Sequence, residues 1–302
     1  MTPDICAVLL SAYNGEKYIA EQIDSILNQS YGHVRLHVRD DGSTDGTLAI
    51  LDGYANDPRV RVVKEPNIGL WRSFFMLLKT AGDASYYAFS DQDDVWLSDK
   101  IQFAVERLNA AGPDTPAAYF CRLDVVDGQL KHMAYSPKYN RPLNLKTAIA
   151  GNVLTGTACV MNKAARDLIV RKLPDFTVMH DWWTYIVVSA FGLIIYDERP
   201  MLKYRQHGGN QIGFAPNAAK AVIKRLKKYS AGGYHKKISR QAKEFYRLYG
   251  GELNENDKQF IEEFIRDKDF FGRLAYAVKC PAYRQKFVDN ALFRALILID
   301  HI

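Results

Sequence analysis

Short apolar runs alternate with amphipathic helical patterns through the first two-thirds of this sequence, and this alternation limits the possible folds more than any other feature. Buried strands are predicted at 5–10, 34–39, 60–64, 86–90 and 117–122, and helices at 16–29, 44–54, 100–111 and after Gly69. Strands that alternate with helices form a largely parallel sheet covered on both faces. We therefore predict an α/β fold.

Polar clusters follow three of the predicted strands. They are Ser11–Gly15, Asp40–Gly46 and Asp91–Asp94. In open α/β sheets, ligands bind beyond the carboxyl ends of the strands. The three clusters therefore predict one binding site at this edge of the sheet.

The third cluster places the carboxylates of Asp91, Asp93 and Asp94 within four residues, directly after a strand. Their repulsion disfavours such a cluster for stability alone, and a hard divalent cation relieves it. Mg²⁺ and Mn²⁺ prefer oxygen ligands and usually complete their shells with substrate phosphates. We predict a metal site here, with a solvated acidic turn that caps the next helix as the alternative.

The second cluster contains adjacent aspartates, Asp40 and Asp41, which can accept hydrogen bonds from a pyrimidine N–H or from ribose hydroxyls. Helix capping explains the residues from Ser43 to Gly46 equally well, but it does not require both aspartates. We therefore favour ligand binding by Asp40 and Asp41.

Asp181 stands before Trp182 and Trp183 at the head of a strongly apolar segment. Partial desolvation raises the pKa of a carboxylate, which suits a general base, and aromatic faces suit sugar rings. The alternative is an aspartate that caps a helix above a buried pair of tryptophans.

Three segments, in this order, resemble family 2 glycosyltransferases of the GT-A fold. They are Leu9–Gly15, Asp40–Asp45 and Asp91–Asp94. The resemblance covers roughly residues 4–213. A similarity to bacterial rhamnosyltransferases of this family is carried by Ser90–Trp96 and Tyr204–Asn210. The resemblance implies a GT-A (nucleotide-diphospho-sugar transferase) fold with a mixed, mostly parallel central sheet and a C-terminal helical region.

The resemblance also implies roles for individual residues. Those implied to bind the nucleotide sugar are Ser11, Tyr13, Asn14, Asp40, Asp41, Asn67, Arg72, Asp91 and Gln92, with Tyr13 beside the base and Arg72 near the diphosphate. Asp93 and His207 are the implied ligands of Mg²⁺ or Mn²⁺. Asp181 is the implied catalytic base, preceded by His180 where the family usually has Glu. Gly156, Thr157, Trp182 and Trp183 are implied to bind the acceptor, although 151–157 also fits a tight turn before a strand.

The implied activity is inverting, metal-dependent transfer of a sugar, with dTDP-rhamnose as the expected donor, to a cell-surface polysaccharide or an undecaprenyl-linked glycan. A UDP-hexose-dependent enzyme of the same fold is one alternative. A metal-dependent phosphohydrolase or nucleotidyltransferase is another, although a phosphatase would place its aspartates after the first strand. A dehydrogenase is disfavoured because no Gly-x-Gly-x-x-Gly follows a strand. The complete set of acidic residues disfavours an inactive scaffold.

Positive charge is concentrated towards the C-terminus. Residues 216–302 contain 18 Lys and Arg against 10 Asp and Glu, a net charge of +8, within a chain of net charge +6. We predict a catalytic domain at 1–215 and a basic helical region at 216–302. This region is expected to bind an anionic membrane surface or to mediate a homodimer. Nucleic acid is not an expected partner, because no nucleic-acid-binding module accompanies the charge.

The sequence contains neither a signal peptide pattern nor an apolar run of the roughly 20 residues that cross a bilayer. The four cysteines are far apart, which favours reduced thiols. We therefore expect a cytoplasmic protein, peripheral on the inner face of the cell membrane.

Overall fold

The computed structural model describes residues 4–207 and 236–302. Its central sheet consists of β1 (Cys6–Ala12), β2 (Val34–Asp40), β3 (Val60–Lys64), β4 (Tyr86–Ser90), β5 (Val95–Trp96), β6 (Ala117–Val126), β7 (His132–Tyr135), β8 (Cys159–Asn162) and β9 (Leu193–Arg205). Within the described residues the strand order is β3-β2-β1-β4-β8-β6-β9-β5, and β7 pairs with β6.

The sheet combines parallel and antiparallel pairs. β3, β2, β1 and β4 are parallel to one another, and β6 is parallel to β9. β8 runs antiparallel to both β4 and β6, and β5 runs antiparallel to β9. The prediction of a mixed, mostly parallel sheet in an α/β fold is therefore confirmed.

Helices follow most of the strands. They are α1 (Ile19–Leu27), α2 (Thr47–Asp52), α3 (Leu70–Thr80), α4 (Lys100–Asn109), α5 (Leu145–Ala150), α6 (Lys163–Arg171), α7 (His180–Phe191), α8 (Lys237–Tyr249), α9 (Glu255–Ile265), α10 (Phe270–Lys279) and α11 (Phe287–Leu298). Helix α1 buries Ile19, Ile23 and Ile26, whose spacing places them on one face against the sheet. Helix α6 begins where the Asn162 side chain accepts the N–H of Ala165 at 3.0 Å.

Some elements differ from the prediction. Strand β9 was not predicted, because Asp197, Glu198 and Pro200 interrupt its apolar pattern and coincide with register shifts against β6. Residues 131–145, predicted as a surface loop, contain β7. Helix α2 begins at Thr47 rather than at Thr44, because the preceding residues bond to the loop after β1.

The C-terminal helices share the core of the sheet region. The Trp183 ring lies 6.3 Å from Phe245 and 6.4 Å from Tyr249, both on α8. The Gln241 side chain accepts hydrogen bonds from Thr177 Oγ1 at 2.7 Å and from the N–H of Val178 at 2.8 Å. Helix α8 is therefore packed into the body that carries the sheet.

The helical prediction for the C-terminal region holds from Lys237 onward. The boundary predicted between residues 215 and 216, and the basic stripe at 220–228, lie outside the described residues. In the part of the chain that the structure describes, no helix has both the length and the apolar character required to cross a bilayer.

Candidate active site

The loops that follow β1 and β2 are joined by hydrogen bonds. Asn14, at a φ of 49°, accepts the N–H of Thr44 at 2.8 Å through Oδ1 and donates its own N–H to Ser43 Oγ at 2.9 Å. The next N–H, of Gly15, donates to Thr47 Oγ1 at 2.8 Å. The Asn14 side chain, predicted to bind the donor, thus fixes one loop against the other.

The loop after β4 is tied to the same unit by Gln92. Its Oε1 accepts the N–H of Tyr13 at 2.8 Å, and its Nε2 donates to the Tyr13 carbonyl at 3.0 Å. Gly15 allows this approach, because a Cβ there would lie 2.4 Å from Gln92 Oε1. Gln92 therefore positions the first loop, while the Tyr13 ring stays 49% exposed, as packing beside a nucleobase requires.

Asp40 and Asp41 are both buried and bonded to the protein itself. Asp41, 2% exposed, accepts the N–H groups of Ile68 and Gly69 at 3.1 Å each and pairs with Arg39 at 3.1 Å. Asp40 accepts the N–H of Ser43 at 3.0 Å through Oδ2. In this arrangement both aspartates organise loops, and nucleoside contact by either of them stays a prediction.

The segment that Asp41 holds is the predicted donor-bordering turn at 67–69. Asn67 Oδ1 accepts the N–H of Gly69 at 3.1 Å, and Gly69 has a φ of +85°, which favours glycine. Helix α3 starts here. The Ser11 hydroxyl bonds to the hydroxyl of Ser73, on this helix, at 2.6 Å. The exposed Arg72 guanidinium lies 4.2 Å from the centre of the Trp71 ring.

The acidic loop after β4 is braced from β9. Arg205, 2% exposed, donates its Nε to the Asp93 carbonyl at 2.8 Å and its N–H to Asp94 Oδ1 at 3.1 Å. It also forms an ion pair with Glu21. The predicted metal ligands lie together, because His207 Nε2 is 2.7 Å from Asp93 Oδ2.

The carboxylates of this loop perturb one another. Burial, followed by the charges of Asp93 and Asp181, raises the pKa of Asp91 to about 8. Burial, followed by the charges of Asp93 and Asp91, raises the pKa of Asp94. A divalent cation relieves this kind of repulsion and favours the ionised forms. The cluster therefore fits the predicted Mg²⁺ or Mn²⁺.

The described residues contain no group of three or more His, Cys, Asp or Glu side chains arranged to hold a metal ion. Asp93 and His207, which contact each other, would hold a cation as a pair, and substrate phosphates commonly supply further ligands.

Asp181 lies in the first turn of α7. Its Oδ2 accepts the N–H of Gly156 at 3.1 Å, and its Oδ1 accepts the N–H of Trp182 at 2.7 Å. Burial raises the pKa of this carboxyl to about 6, although these hydrogen bonds oppose the shift. Thr157, which directly follows Gly156, bonds through its side chain to Asp94, so the predicted base and the acidic loop contact the same short segment and lie in one site.

His180 occupies the position where the resemblance leads us to expect Glu. Its ring stacks on Phe74 at 3.9 Å and meets Phe89 edge-on at 4.7 Å. Neither ring nitrogen has a hydrogen-bond partner in the part of the chain that the structure describes, and burial lowers the pKa of His180 to about 3. The residue is therefore neutral and apolar in its contacts.

The four predicted acceptor residues are buried. Trp183 is fully buried against α8, and Trp182, 6% exposed, donates its indole N–H to the Ala148 carbonyl at 2.7 Å. Thr157 is fully buried, with Trp96 Nε1 at 3.4 Å from its hydroxyl, and buried Gly156 holds Asp181. All four residues are thus buried in this structure, and contact with an acceptor by any of them stays a prediction.

Two residues of β9 were missed as site residues. Burial, followed by the charges of Asp91, Asp94, Asp93 and Asp181, raises the pKa of the Tyr204 hydroxyl. Arg205 holds the acidic loop in place, as described above. The available signal was the Tyr204–Asn210 segment, in which a tyrosine and an arginine directly precede the predicted ligand His207.

This combination of an α/β sheet, acidic loops beyond parallel strands and a buried carboxylate nearby defines the GT-A class of glycosyltransferases. The chain belongs to glycosyl transferase family 2, whose family model matches residues 7–169. It is 26% identical to the dTDP-rhamnosyl transferase RfbG of Shigella flexneri, over 96% of this chain and 99% of that protein. The predicted family and its relation to rhamnosyltransferases are thereby confirmed.

Solved structures show the same fold. The chain is similar to S. aureus TarS in complex with UDP-GlcNAc, with a TM-score of 0.59 and 15% identity over 98% of this chain and 90% of that one. It is also similar to the mannosyltransferase PcManGT of Pyrobaculum calidifontis in complex with GDP-Man and Mn²⁺, with a TM-score of 0.56 and 17% identity over 99% and 75%. The protein is a glycosyltransferase, so the phosphohydrolase and nucleotidyltransferase alternatives are no longer needed.

Proposed function

We propose that the protein transfers rhamnose from dTDP-rhamnose, with inversion at the anomeric carbon, to a hydroxyl of a polysaccharide or undecaprenyl-linked glycan. The observation that carries the chemistry is the buried Asp181 carboxylate beside the Asp91–Asp94 loop. The choice of donor is supported by similarity to a dTDP-rhamnosyl transferase over nearly the whole of both chains.

Asp181 acts as the general base. It accepts the proton of the acceptor hydroxyl while the hydroxyl oxygen attacks the anomeric carbon, and the bond from that carbon to the diphosphate breaks. A pKa of about 6 leaves Asp181 mostly ionised at neutral pH and still basic enough to take the proton. Its hydrogen bonds to Gly156 and Trp182 fix the direction of the carboxylate.

The donor lies across the loops after β1, β2 and β4. Tyr13 would offer its exposed ring to the nucleobase. By the resemblance, Asp91 would contact the ribose and the sugar. Asp93 and His207 would hold Mg²⁺ or Mn²⁺, which neutralises the charge that develops on a departing diphosphate. The solved PcManGT complex with GDP-Man and Mn²⁺ supports the same type of cofactor.

The donor is tested by incubating the purified full-length chain with dTDP-rhamnose, UDP-glucose, UDP-GlcNAc and GDP-mannose, and measuring release of the nucleoside diphosphate. We expect dTDP-rhamnose to be used at least about tenfold faster than the others, because a site built for one sugar rejects analogues at least by this factor. Faster use of a UDP-sugar or GDP-sugar would refute the proposed donor.

The cofactor is tested with Asp93→Asn, which keeps the size of the side chain and removes its charge. Wild-type protein should show a thermal shift with dTDP that increases when Mn²⁺ is added, and the variant should lose that increase. Asp124→Asn, which alters a surface carboxylate paired with His132, is the matched control and should behave as wild type. An unchanged Mn²⁺ response in Asp93→Asn would contradict the assignment.

A further inference from the structure

Helices α10 and α11 form a rigid pair near the C-terminus. Arg273 of α10 donates its Nε to the Leu298 carbonyl at the end of α11, at 3.1 Å. Arg294 of α11 donates to the carbonyls of Val278 at 3.1 Å and Cys280 at 2.9 Å, at the end of α10. Each helix thus supplies a guanidinium group to the last carbonyls of the other, so the two helices are held together as one unit.

The inner face of this helix pair is buried, yet its outer face is also apolar. The exposed large apolar residues are Phe270, Phe271, Leu274 and Val278 on α10, and Phe287, Val288 and Ile299 on or just after α11. Half of the 14 exposed large apolar side chains among the described residues therefore lie within 270–299. The spacing of 270, 271, 274 and 278 places these residues on one side of α10.

Single exposed apolar residues are common on protein surfaces, but a contiguous patch marks an interaction site. Phe271 is 76% exposed and Phe287 is 86% exposed, so the packing of the fold depends little on either ring. Nine of the 12 residues of α11 are apolar, and only Phe293, Leu296 and Ile297 among them are buried.

The charges around the patch select the kind of partner. Residues 269–300 contain five cations, Arg273, Lys279, Arg284, Lys286 and Arg294, against three anions, Asp269, Asp289 and Asp300. Lys279 and Lys286 are exposed and directly adjoin Val278 and Phe287 in the sequence. Aromatic and aliphatic side chains bordered by lysines fit the interface of an anionic bilayer. A second copy of this chain would bring a like-charged surface into contact.

The connection between α10 and α11 contacts the segment that leads to Asp181, the proposed catalytic base. In the connection between α10 and α11, Arg284 donates its Nε to the Ala150 carbonyl at 2.9 Å, and the Gln285 side chain accepts the N–H of Arg141 at 3.1 Å. The segment after Ala150 continues through Asn152, whose side chain bonds to Asp181, to Gly156. The apolar surface is therefore connected directly to the wall of the site that holds the base.

We propose that the outer face of α10 and α11 lies in the headgroup region of an anionic lipid bilayer and so sets the site against a lipid-linked acceptor. Helices of 10 and 12 residues are too short to cross a bilayer, so they lie along its surface. The proposal specifies which surface of the C-terminal region contacts the expected membrane. It rests on the proposed function only for the nature of the acceptor.

The test is co-sedimentation of the full-length chain with vesicles of phosphatidylglycerol and phosphatidylcholine, or of phosphatidylcholine alone. Wild-type protein should prefer the anionic vesicles and dissociate at high salt. Phe271→Ser with Phe287→Ser should weaken binding by at least about tenfold, because two aromatic side chains lose their burial. Lys279→Gln with Lys286→Gln should weaken binding to anionic vesicles by roughly 30-fold, at about 1 kcal/mol per lysine.

Met133→Ser with Tyr135→Ser removes two half-exposed apolar side chains from β7 and is the matched control, expected to bind as wild type. Absence of vesicle binding by the wild type, or wild-type binding by the double phenylalanine variant, would overturn the proposal. A wild-type dimer that this variant dissociates, without vesicle binding, would overturn it in favour of a second copy. Release of dTDP measured without vesicles should be unchanged in the variant, which separates this proposal from the proposed function.

Discussion

Replacing Asp181 with Asn removes the proposed base while keeping the shape of the side chain. Asp181 is 7% exposed, and burial raises its pKa from 3.8 to about 6. At 1.36 kcal/mol per pKa unit, the ionised carboxylate of the folded protein is about 3 kcal/mol less favourable than that of the unfolded chain. General bases typically contribute 10²- to 10⁴-fold to a rate, so kcat should fall by about this factor.

The pH dependence supplies a second, independent signature. Asp181 accepts a proton only when it is ionised, so the transfer rate of the wild type should rise with pH through about 6 and level off above it. Asp181→Asn should lack this rise. The contribution of Asp181 to the free energy of unfolding changes in the opposite direction. Because the pKa of this carboxyl is raised in the folded protein, its stabilising contribution is full below pH 3.8 and is lost as pH rises through about 6.

At neutral pH the variant should therefore be inactive but not unstable. Asn relieves the cost of the buried charge and weakens one of the bonds to Gly156 and Trp182, which costs about 1–3 kcal/mol. Because these effects oppose each other, the free energy of unfolding in urea should not fall by more than about 1 kcal/mol. Initial rates of dTDP release with acceptor give the activity, and Asp124→Asn is the control. A variant rate within tenfold of wild type, or a persisting rise through pH 6, would refute the assignment.

Further predictions concern the residues around the base and under the acidic loop. Gly156→Ala places a Cβ 2.7 Å from His180 Nε2, so transfer should fall and urea unfolding should show a loss of about 1–3 kcal/mol. Gln92→Ala loses both bonds to the Tyr13 backbone, so the donor KM should rise about tenfold with an unchanged pH profile. Lys100 is fully buried, with its Nζ 3.4 Å from the centre of the Trp96 ring, and burial lowers its pKa to about 8. Lys100→Met should therefore be at least as stable as wild type at neutral pH, with any gain shrinking between pH 8 and 10.5. A loss above about 2 kcal/mol would contradict this.

The parallel half of the sheet was predictable although its strands differ in burial. β1 and β4 are fully buried, whereas the edge strand β3 is partly exposed. β3 and β4 begin and end at the predicted residues, since each is a short run of strand-forming side chains bounded by polar ones. β9 was not predictable in this way. Its central residues, including Asp197 and Pro200, have low strand propensity, and pairing with β6 tolerates them only through register shifts.

The same distinction applies to the site. Asp91, Asp93 and Asp181 could be proposed as site residues from the sequence because the end of a strand or the start of a helix places such groups at a binding edge, and their roles stay predictions. The burial of Trp183 was not identifiable, since the helix that covers it begins at Lys237. Sequence proximity to Asp181 suggested a sugar contact, whereas the long-range packing of α8 made this tryptophan part of the core.

The loops of the donor site are ordered by the protein's own bonds. Gln92 ties the loop after β4 to the loop after β1, and Arg205 holds the backbone of Asp93 and the carboxylate of Asp94 from β9. The framework thus keeps carboxylates close together, and burial with the neighbouring charges raises the pKa of Asp91 and of Asp94. Since these groups are already in place, binding of donor and cation does not have to order them, and the interaction energy remains for stabilising the charge on the leaving diphosphate. This explains why Arg205, which we expect to touch neither substrate, is among the most thoroughly bonded residues of the site.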